Sequence, residues 1–436
     1  MMAILVLIAA LCIPQSLAAA GFRAGVARAD LDPPPGMAMS GYGSRTGVAQ
    51  GVLDPVQARV LALSDGERTI ALVTLDLIFP FEPPEMERIR AAVRGKGIDE
   101  VIFHASHTHS GPTYSSNRPA YEKAIERVRQ AILEAAARLE PARIGTGWGV
   151  SYIGHNRRHI LPDGAARMLW GNQTKLSSFP VDPTVGVIRI DRRRGSPLAV
   201  LVNYACHPVV LGPDNLDYSA DYPSAMRRVI EQGLDGKPMA FFLQGAPGDI
   251  NPYDDKTPRR EDAAERMRRT GEKLGVEALR VARRIRTVQP ARGSIAWKTV
   301  LLPVKSRWNI ARLRERVNPA DPRAARMLRE SMELPVTALV LHEELALVTM
   351  PGEPFVEFQM QLRARSPLPE TFFLGYTNGT FGYFPTIAAA VRGGYGATSA
   401  TWVEVGAGER MLNAGLVALY ELLGKLNPPS SPQTGR

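Results

Sequence analysis

Cysteine is almost absent from this chain: its 436 residues include only Cys12 and Cys206. Once a segment carrying Cys12 is removed, Cys206 stands alone, which excludes an intramolecular disulfide and a disulfide-built scaffold. Cys206 is therefore read as a buried thiol rather than a nucleophile. Long apolar runs are absent beyond the first twenty residues, so no later segment is expected to span a bilayer. Heptads, collagen-like triplets and long biased tracts are missing as well. The net charge is +10, but basic residues are interleaved with acids, as in Arg259-Arg-Glu-Asp-Ala-Ala-Glu-Arg-Met-Arg-Arg. That pattern reads as solvated helical faces carrying intrahelical ion pairs. There is no nucleic-acid module. The surplus charge fits peripheral contact with an anionic membrane surface.

Hydrophobic residues make up 45% of the chain, enough for a large buried core. Residues 1–20 read as a secretory signal, with an apolar stretch from Ala3 and small residues after Ser16. The expectation is an exported protein, periplasmic or secreted. One catalytic domain is expected over residues 21–427, followed by a polar, Pro-rich tail at 428–436. Strand-like runs fall at 57–63, 69–79, 101–106, 185–190, 198–206, 239–243 and 339–350. Helical patterns fall at 84–94, 120–139, 261–286, 310–334 and 409–426. This alternation predicts an α/β fold, a mixed β-sheet core flanked by helices, with its site at strand carboxyl ends.

Histidine is scarce, seven in all, yet three fall in Phe103-His-Ala-Ser-His-Thr-His-Ser-Gly-Pro. His107 and His109 are two residues apart, so in an extended backbone they project from one face. They either share a metal or divide the work, one binding and one moving protons. His207 ends another strand-like run and is a candidate distant ligand. Two histidines from separate strands, completed by a carboxylate and water, suit a catalytic zinc site. Glu353 in Met350-Pro-Gly-Glu-Pro is a candidate carboxylate. The loops Gln244-Gly-Ala-Pro-Gly-Asp-Ile-Asn-Pro, Gly382-Tyr-Phe-Pro and Arg392-Gly-Gly-Tyr-Gly are glycine-rich, so their backbones can approach a ligand closely.

Taken in order, these pieces resemble the catalytic region of the neutral, non-lysosomal ceramidase family. The resemblance runs through Gly25-Val-Ala-Arg-Ala-Asp-Leu-Asp-Pro-Pro-Pro-Gly, Ser40-Gly-Tyr-Gly, Thr74-Leu-Asp-Leu and Ser106-His-Thr-His-Ser-Gly-Pro. It continues through Asn156-Arg157, His207-Pro, Gly248-Asp-Ile-Asn-Pro, Pro351-Gly-Glu and Gly382-Tyr. The resemblance implies a zinc ion held by His107, His207, Glu353 and Tyr383. It places His109 and Arg157 beside the metal, and Tyr395 as a second active-site tyrosine. The implied activity is hydrolysis of an N-acyl amide in a ceramide-like lipid by metal-activated water. His109 would handle a proton, and Arg157 and Tyr395 would contact the developing oxyanion or orient the substrate.

Three departures stand out. The family's Gly-Asp-Val-Ser-Pro loop has a serine where this chain has Asn251, which can supply a polar contact but no nucleophilic hydroxyl. The family's C-terminal β-sandwich has no counterpart here. The segment between Tyr383 and Tyr395 lacks the family's acidic and polar character. These departures point to altered substrate choice, with zinc hydrolysis of another amide or ester as the second reading and a non-catalytic metal-bearing binder as the third.

Overall fold

The computed structural model describes residues 21–31, 33–318 and 324–426. The expected signal segment, the expected tail and Cys12 lie outside the described residues. Eight strands form the larger sheet: Arg23–Asp30 (β1), Gln57–Ser64 (β2), Thr69–Leu75 (β3), Glu100–Ala105 (β4), Glu140–Val150 (β5), Thr184–Arg192 (β6), Pro197–Tyr204 (β7) and Met239–Gln244 (β8). Their order is β8-β7-β6-β5-β1-β2-β3-β4. A second sheet holds Ala296–Lys305 (β9), Ser331–His342 (β10), Leu345–Thr349 (β11) and Glu370–Leu374 (β12), in that order. The principal helices are Pro83–Arg94 (α1), Arg118–Ala137 (α2), Tyr222–Gly233 (α3), Ala263–Ala282 (α4), Val356–Arg365 (α5) and Ala407–Leu422 (α6).

The two sheets pack face to face with helices on both outer sides, because strands such as β2, β3, β7 and β11 are apolar on both faces. In β2, Val60 and Ala62 join α1 and α2 in one apolar cluster, while Leu61 and Leu63 face the smaller sheet. The period of two puts successive residues on opposite faces. Both faces are therefore covered, and the whole strand is buried. Leu339, Leu347 and Phe372 meet Leu61, Ile102 and Leu201 between the sheets. α3 and α4 cover the β6–β8 side through Met226, Ile230 and Leu274. α5 and α6 cover the outer face of the smaller sheet through Phe358, Met411 and Leu419. Each fully buried side chain of this size contributes about 1.5–3 kcal/mol. Helix α2 shows the local logic: Asn117 caps Ala120 N–H, and Tyr121, Ala124, Ile125, Val128 and Ile132 form its buried stripe. Among the described residues, no helix is long and apolar enough to cross a membrane.

Within these two sheets three strand pairs are parallel: β3 with β4, β7 with β8 and β11 with β12. Each is bridged by one helix, α1, α3 and α5 respectively, so each is a β-α-β unit. The other pairings in them are antiparallel. The expected mixed sheet flanked by helices is what the fold contains. Two expected elements differ. The run 339–350 is a hairpin, because Glu343 and Glu344 turn the chain between β10 and β11. Among the described residues, the helix expected over 310–334 is reduced to Ile310–Arg314 and Ala324–Met327. Pro319 and Pro322 interrupt the helical pattern in sequence. From Ser331 the chain is already a strand, with Met332, Leu334 and Val336 buried on alternate positions.

A buried ion pair fixes the first β-α-β unit to the second. Both Asp76 oxygens accept from Arg227 of α3, at 2.8 and 2.9 Å. Asp76 Oδ2 also accepts from Gln57 N–H at 3.0 Å. Leu77 and Ile78, the next residues along, hold His107. Replacing Arg227 by Ala leaves a buried carboxylate without its cation, and we expect a loss of about 3–5 kcal/mol in urea denaturation. Removing the exposed partner Arg118 from Glu122 should leave the denaturation midpoint essentially unchanged.

Candidate metal centre

Each candidate ligand lies just beyond a parallel strand. His107 follows β4, where the chain turns through the left-handed region, φ 69°. Its N–H donates to Leu77 O at 3.0 Å and its Nδ1 to Ile78 O at 2.7 Å. His207 follows β7, and both its N–H and its Nδ1 donate to Ile250 O at 3.0 Å. Glu353 follows β11. A short parallel bridge sets it directly beside Tyr383, with Glu353 N–H donating to Gly382 O at 3.0 Å.

With both Nδ1 atoms donating to carbonyls, each histidine presents an unprotonated Nε2. Glu353 Oε2 lies 3.3 Å from His207 Nε2 and 3.5 Å from His107 Nε2. Three lone-pair-bearing atoms thus face one another. Tyr376 OH donates to this carboxylate oxygen from the side, at 3.2 Å. A cation at their centre would satisfy all three. Ligand atoms about 2.0–2.1 Å from a tetrahedral zinc ion stand about 3.3–3.4 Å apart. The donor set and spacing fit zinc, and carbonyl-held Nδ1 groups are the usual outer support of zinc histidines. Burial holds the His107 pKa down to about 3 and pushes His207 well below its ordinary value, so both are neutral and ready to ligate. Burial, reinforced by Glu353, pushes the Tyr383 hydroxyl well up. Its oxygen accepts from Arg157 Nη2 at 3.0 Å.

His109 also reaches the cluster, its Nε2 3.2 Å from His107 Nε2. The ligand atoms of His107, His109 and His207 lie within 4.8 Å of one another, so a three-histidine set could also hold an ion. His109 is built differently from the other two. No carbonyl holds its Nδ1, which is buried without a hydrogen-bond partner. Its ring packs on Tyr42, centroids 4.8 Å apart. A histidine held at neither nitrogen by the backbone is less preorganised as a ligand, and free to exchange a proton. Burial pushes its pKa well below the ordinary value.

Arg157 is 4% exposed and donates to Gly248 O at 2.7 Å and Asn251 Oδ1 at 3.1 Å, besides Tyr383. Burial opposes its charge, but Tyr383 and Glu353 outweigh that and raise its pKa. Its guanidinium lies 5.2, 5.4 and 5.5 Å from the rings of Trp170, Tyr383 and Tyr395. Tyr395 is at the rim, 41% exposed, with its ring 5.4 Å from that of Tyr383. All eight residues singled out in the sequence therefore lie together.

His107, His109, Glu353, Tyr383 and Tyr395 line one cavity of about 1470 Å³. Its walls include Met39, Phe79, Phe81, Pro112, Met332 and Phe381.

Two details differ from expectation. His107 and His109 meet through a turn at His107, not by projecting from one extended face. Gly248 serves chain-to-chain packing: a Cβ there would lie 2.5 Å from Glu353 O. Reasoning from sequence missed Tyr376, which stacks on His107 at 4.0 Å and donates to Glu353. Its signal, a Gly-Tyr step after an apolar strand, was unreadable because β12 itself was not identified.

Four buried histidines give the metal-free protein a defined acid response. His104 and His107 have pKa values near 3 against 6.5 ordinarily, and those of His109 and His207 are well below 6.5. Below pH 6.5 the unfolded chain takes up protons that the native chain does not. The contribution of these histidines is therefore complete above that pH and is lost as pH drops towards 3. Asp221 and Asp249, whose pKa values burial raises to about 7 and about 6, act in the opposite sense. NMR titration of metal-free protein should therefore find His104 and His107 still neutral at pH 5, and protonation of either near pH 6.5 would contradict the buried neutral assignment.

No family model matches the sequence, and no curated protein matches it. Among solved structures, the chain is similar to a ceramidase complexed with C2, with a TM-score of 0.75 and 17% identity over 94% of this chain and 76% of that one. It is also similar to the neutral ceramidase of Pseudomonas aeruginosa, with a TM-score of 0.74 and 16% identity over the same shares. At such identity the likeness speaks for architecture, and the architecture of this chain is that of the neutral ceramidases.

Proposed function

We propose that this protein is a zinc-dependent hydrolase that cleaves the amide of an N-acyl, ceramide-like lipid. The observation that carries the reading is the placement of Glu353 Oε2 3.3 Å from His207 Nε2 and 3.5 Å from His107 Nε2, beside a large, partly apolar cavity lined by His107 and Glu353. The likeness to ceramidase structures supports the same reading. In this assignment His107, His207, Glu353 and Tyr383 hold the ion. Zinc in such a site supplies Lewis acidity and lowers the pKa of bound water to about 7.

The remaining chemistry falls to the side chains. His109, whose Nε2 faces the ligand cluster, accepts a proton from the attacking water and returns it to the leaving nitrogen. Arg157, permanently charged and buried, donates towards the oxyanion that develops at the acyl carbon. Tyr395 at the rim orients the polar end of the substrate. Met39, Phe79, Phe81 and Phe381 take the acyl chain. At about 1470 Å³ the cavity exceeds the roughly 300–1,000 Å³ of ordinary small-molecule sites, which suits an elongated lipid. The net charge of +10 supports approach to an anionic membrane surface. Export rests on the segment 1–20, and N-terminal sequencing of the exported protein should begin near Gly21.

A second reading retains the metal and changes the substrate to another amide or ester. It is favoured by Asn251, whose amide is held at both ends by Arg157 and Asp255 and supplies no hydroxyl.

Purified zinc-loaded protein should hydrolyse ceramide, and His107→Ala should abolish the activity. Absence of hydrolysis in the parent protein would remove ceramide as substrate while leaving the metal assignment to direct zinc analysis. His109→Ala should reduce kcat by about 10²–10⁴ with zinc still bound. Unchanged turnover in that variant would remove His109 from proton transfer.

A further inference from the structure

Asn251 ends a chain of polar contacts that continues away from the cavity. Its Nδ2 donates to Asp255 Oδ2 at 2.8 Å, and its Oδ1 accepts from Arg157 Nη1 at 3.1 Å. Asn251 is fully buried, and the Asp255 side chain is 1% exposed. Lys256 Nζ closes the chain on Asp255, at 2.9 Å from Oδ1 and 2.7 Å from Oδ2. The turn that allows this is fixed by the backbone. Lys256 has φ 50°, its N–H donates to Val209 O at 2.7 Å, and Thr257 Oγ1 donates to Asp254 O at 2.8 Å.

An amide has one donor end and one acceptor end, and only its neighbours decide which way it points. Here the decision is forced from both sides. A carboxylate only accepts, so the NH₂ of Asn251 faces Asp255. A guanidinium only donates, so the carbonyl oxygen faces Arg157. A reversed amide would set oxygen against carboxylate and NH₂ against guanidinium. The same guanidinium continues to Gly248 O at 2.7 Å and Tyr383 OH at 3.0 Å. Arg157 Nε has no partner, so the guanidinium is aimed by its two Nη atoms alone. A residue at 251 bearing a hydroxyl would need no such external decision, since a hydroxyl rotates to suit its neighbours.

We infer that Asp255 is a positioning residue: by fixing the amide of Asn251 it aims Arg157 at Tyr383 and at the reacting carbonyl. Asp255 does not line the cavity, and its hydrogen-bonded link to Arg157 runs through Asn251. The kinetic part of this inference rests on the hydrolase reading above; the structural part does not.

The test is D255A, which removes the acceptor, together with the exchange variant N251D/D255N. In the exchange, the carboxylate now at position 251 would accept from Arg157 and from the amide NH₂ now at position 255. The oxygen of that amide would accept from Lys256, so every partner is met again. With zinc-loaded protein, D255A should lower kcat about tenfold with KM within about twofold. Zinc content should stay close to that of the parent, and the exchange should recover most of the kcat. In crystals of D255A the amide of Asn251 should be turned and the Arg157–Tyr383 bond lost. Parent-like kcat in D255A, or an exchange no better than D255A alone, would overturn the inference. If the parent hydrolyses neither amide nor ester, the hydrolase reading fails separately, and an unchanged Arg157–Tyr383 contact in the D255A crystal overturns this one. If D255A does not fold, the exchange variant decides: folded and near parental kcat supports the inference, folded and inactive ends it.

Discussion

Two imidazole nitrogens, each carrying a lone pair, stand 3.3 and 3.5 Å from one carboxylate oxygen in the interior of this protein. Such an arrangement is repulsive unless something positive lies among them. Much of the surrounding structure acts to maintain it. The carbonyls of Ile78 and Ile250 hold the far nitrogens, so the near ones stay unprotonated. Tyr376 stacks on one ring and donates to the carboxylate, which limits how far Glu353 can swing away. Both His107 and Tyr376 take left-handed backbone conformations, φ 69° and 46°. Unfavourable geometry of that kind persists where the surroundings over-determine it.

The fold delivers these groups because its three parallel strand pairs all end at one place. Their connecting helices cover the outer faces, and the carboxyl ends, free of helix, open on the site. The seam there is continuous. Gln244 N–H donates to His104 Nε2 at 2.8 Å, linking the two edge strands of the larger sheet. Gly375 N–H donates to Gln244 O at 3.1 Å, bringing in the smaller sheet. Asn203 Nδ2 reaches both Leu243 O and Phe373 O at 2.9 Å. His104, the third member of the histidine-rich run, is thus a structural link between strands, and its neighbours His107 and His109 face the cavity.

The sequence disclosed most of the site because its residues sit at the ends of strongly apolar runs, where a polar side chain has few structural uses. His107, His207 and Glu353 were visible for that reason. Tyr383 was visible only through family likeness, since nothing in a Gly-Tyr step marks a ligand. The antiparallel centre of the large sheet was harder to read. β1 and β5 carry Arg, Asp and Gly among their apolar residues, which weakens the alternation. β5 in particular holds Gly145, Gly147 and Gly149, each pressed against residues 277–286 of α4 and the turn after it, where a Cβ would collide. The hairpin between β10 and β11 was fused into one run because both its arms are apolar and only Glu343-Glu344 separates them. Asp255 gave no signal at all: its importance depends on an amide four residues earlier and an arginine from another segment.

The candidate ligands divide evenly between the layers. His107 and His207 extend from the larger sheet, Glu353 and Tyr383 from the connections of the smaller one. An ion shared by all four would be a cross-brace between two sheets otherwise joined by apolar contact and scattered hydrogen bonds, such as those of Asn203 and Trp148. Its binding free energy would then act as adhesion along the seam, felt most where the chain is far apart in sequence. Occupancy would govern how readily the two sheets part.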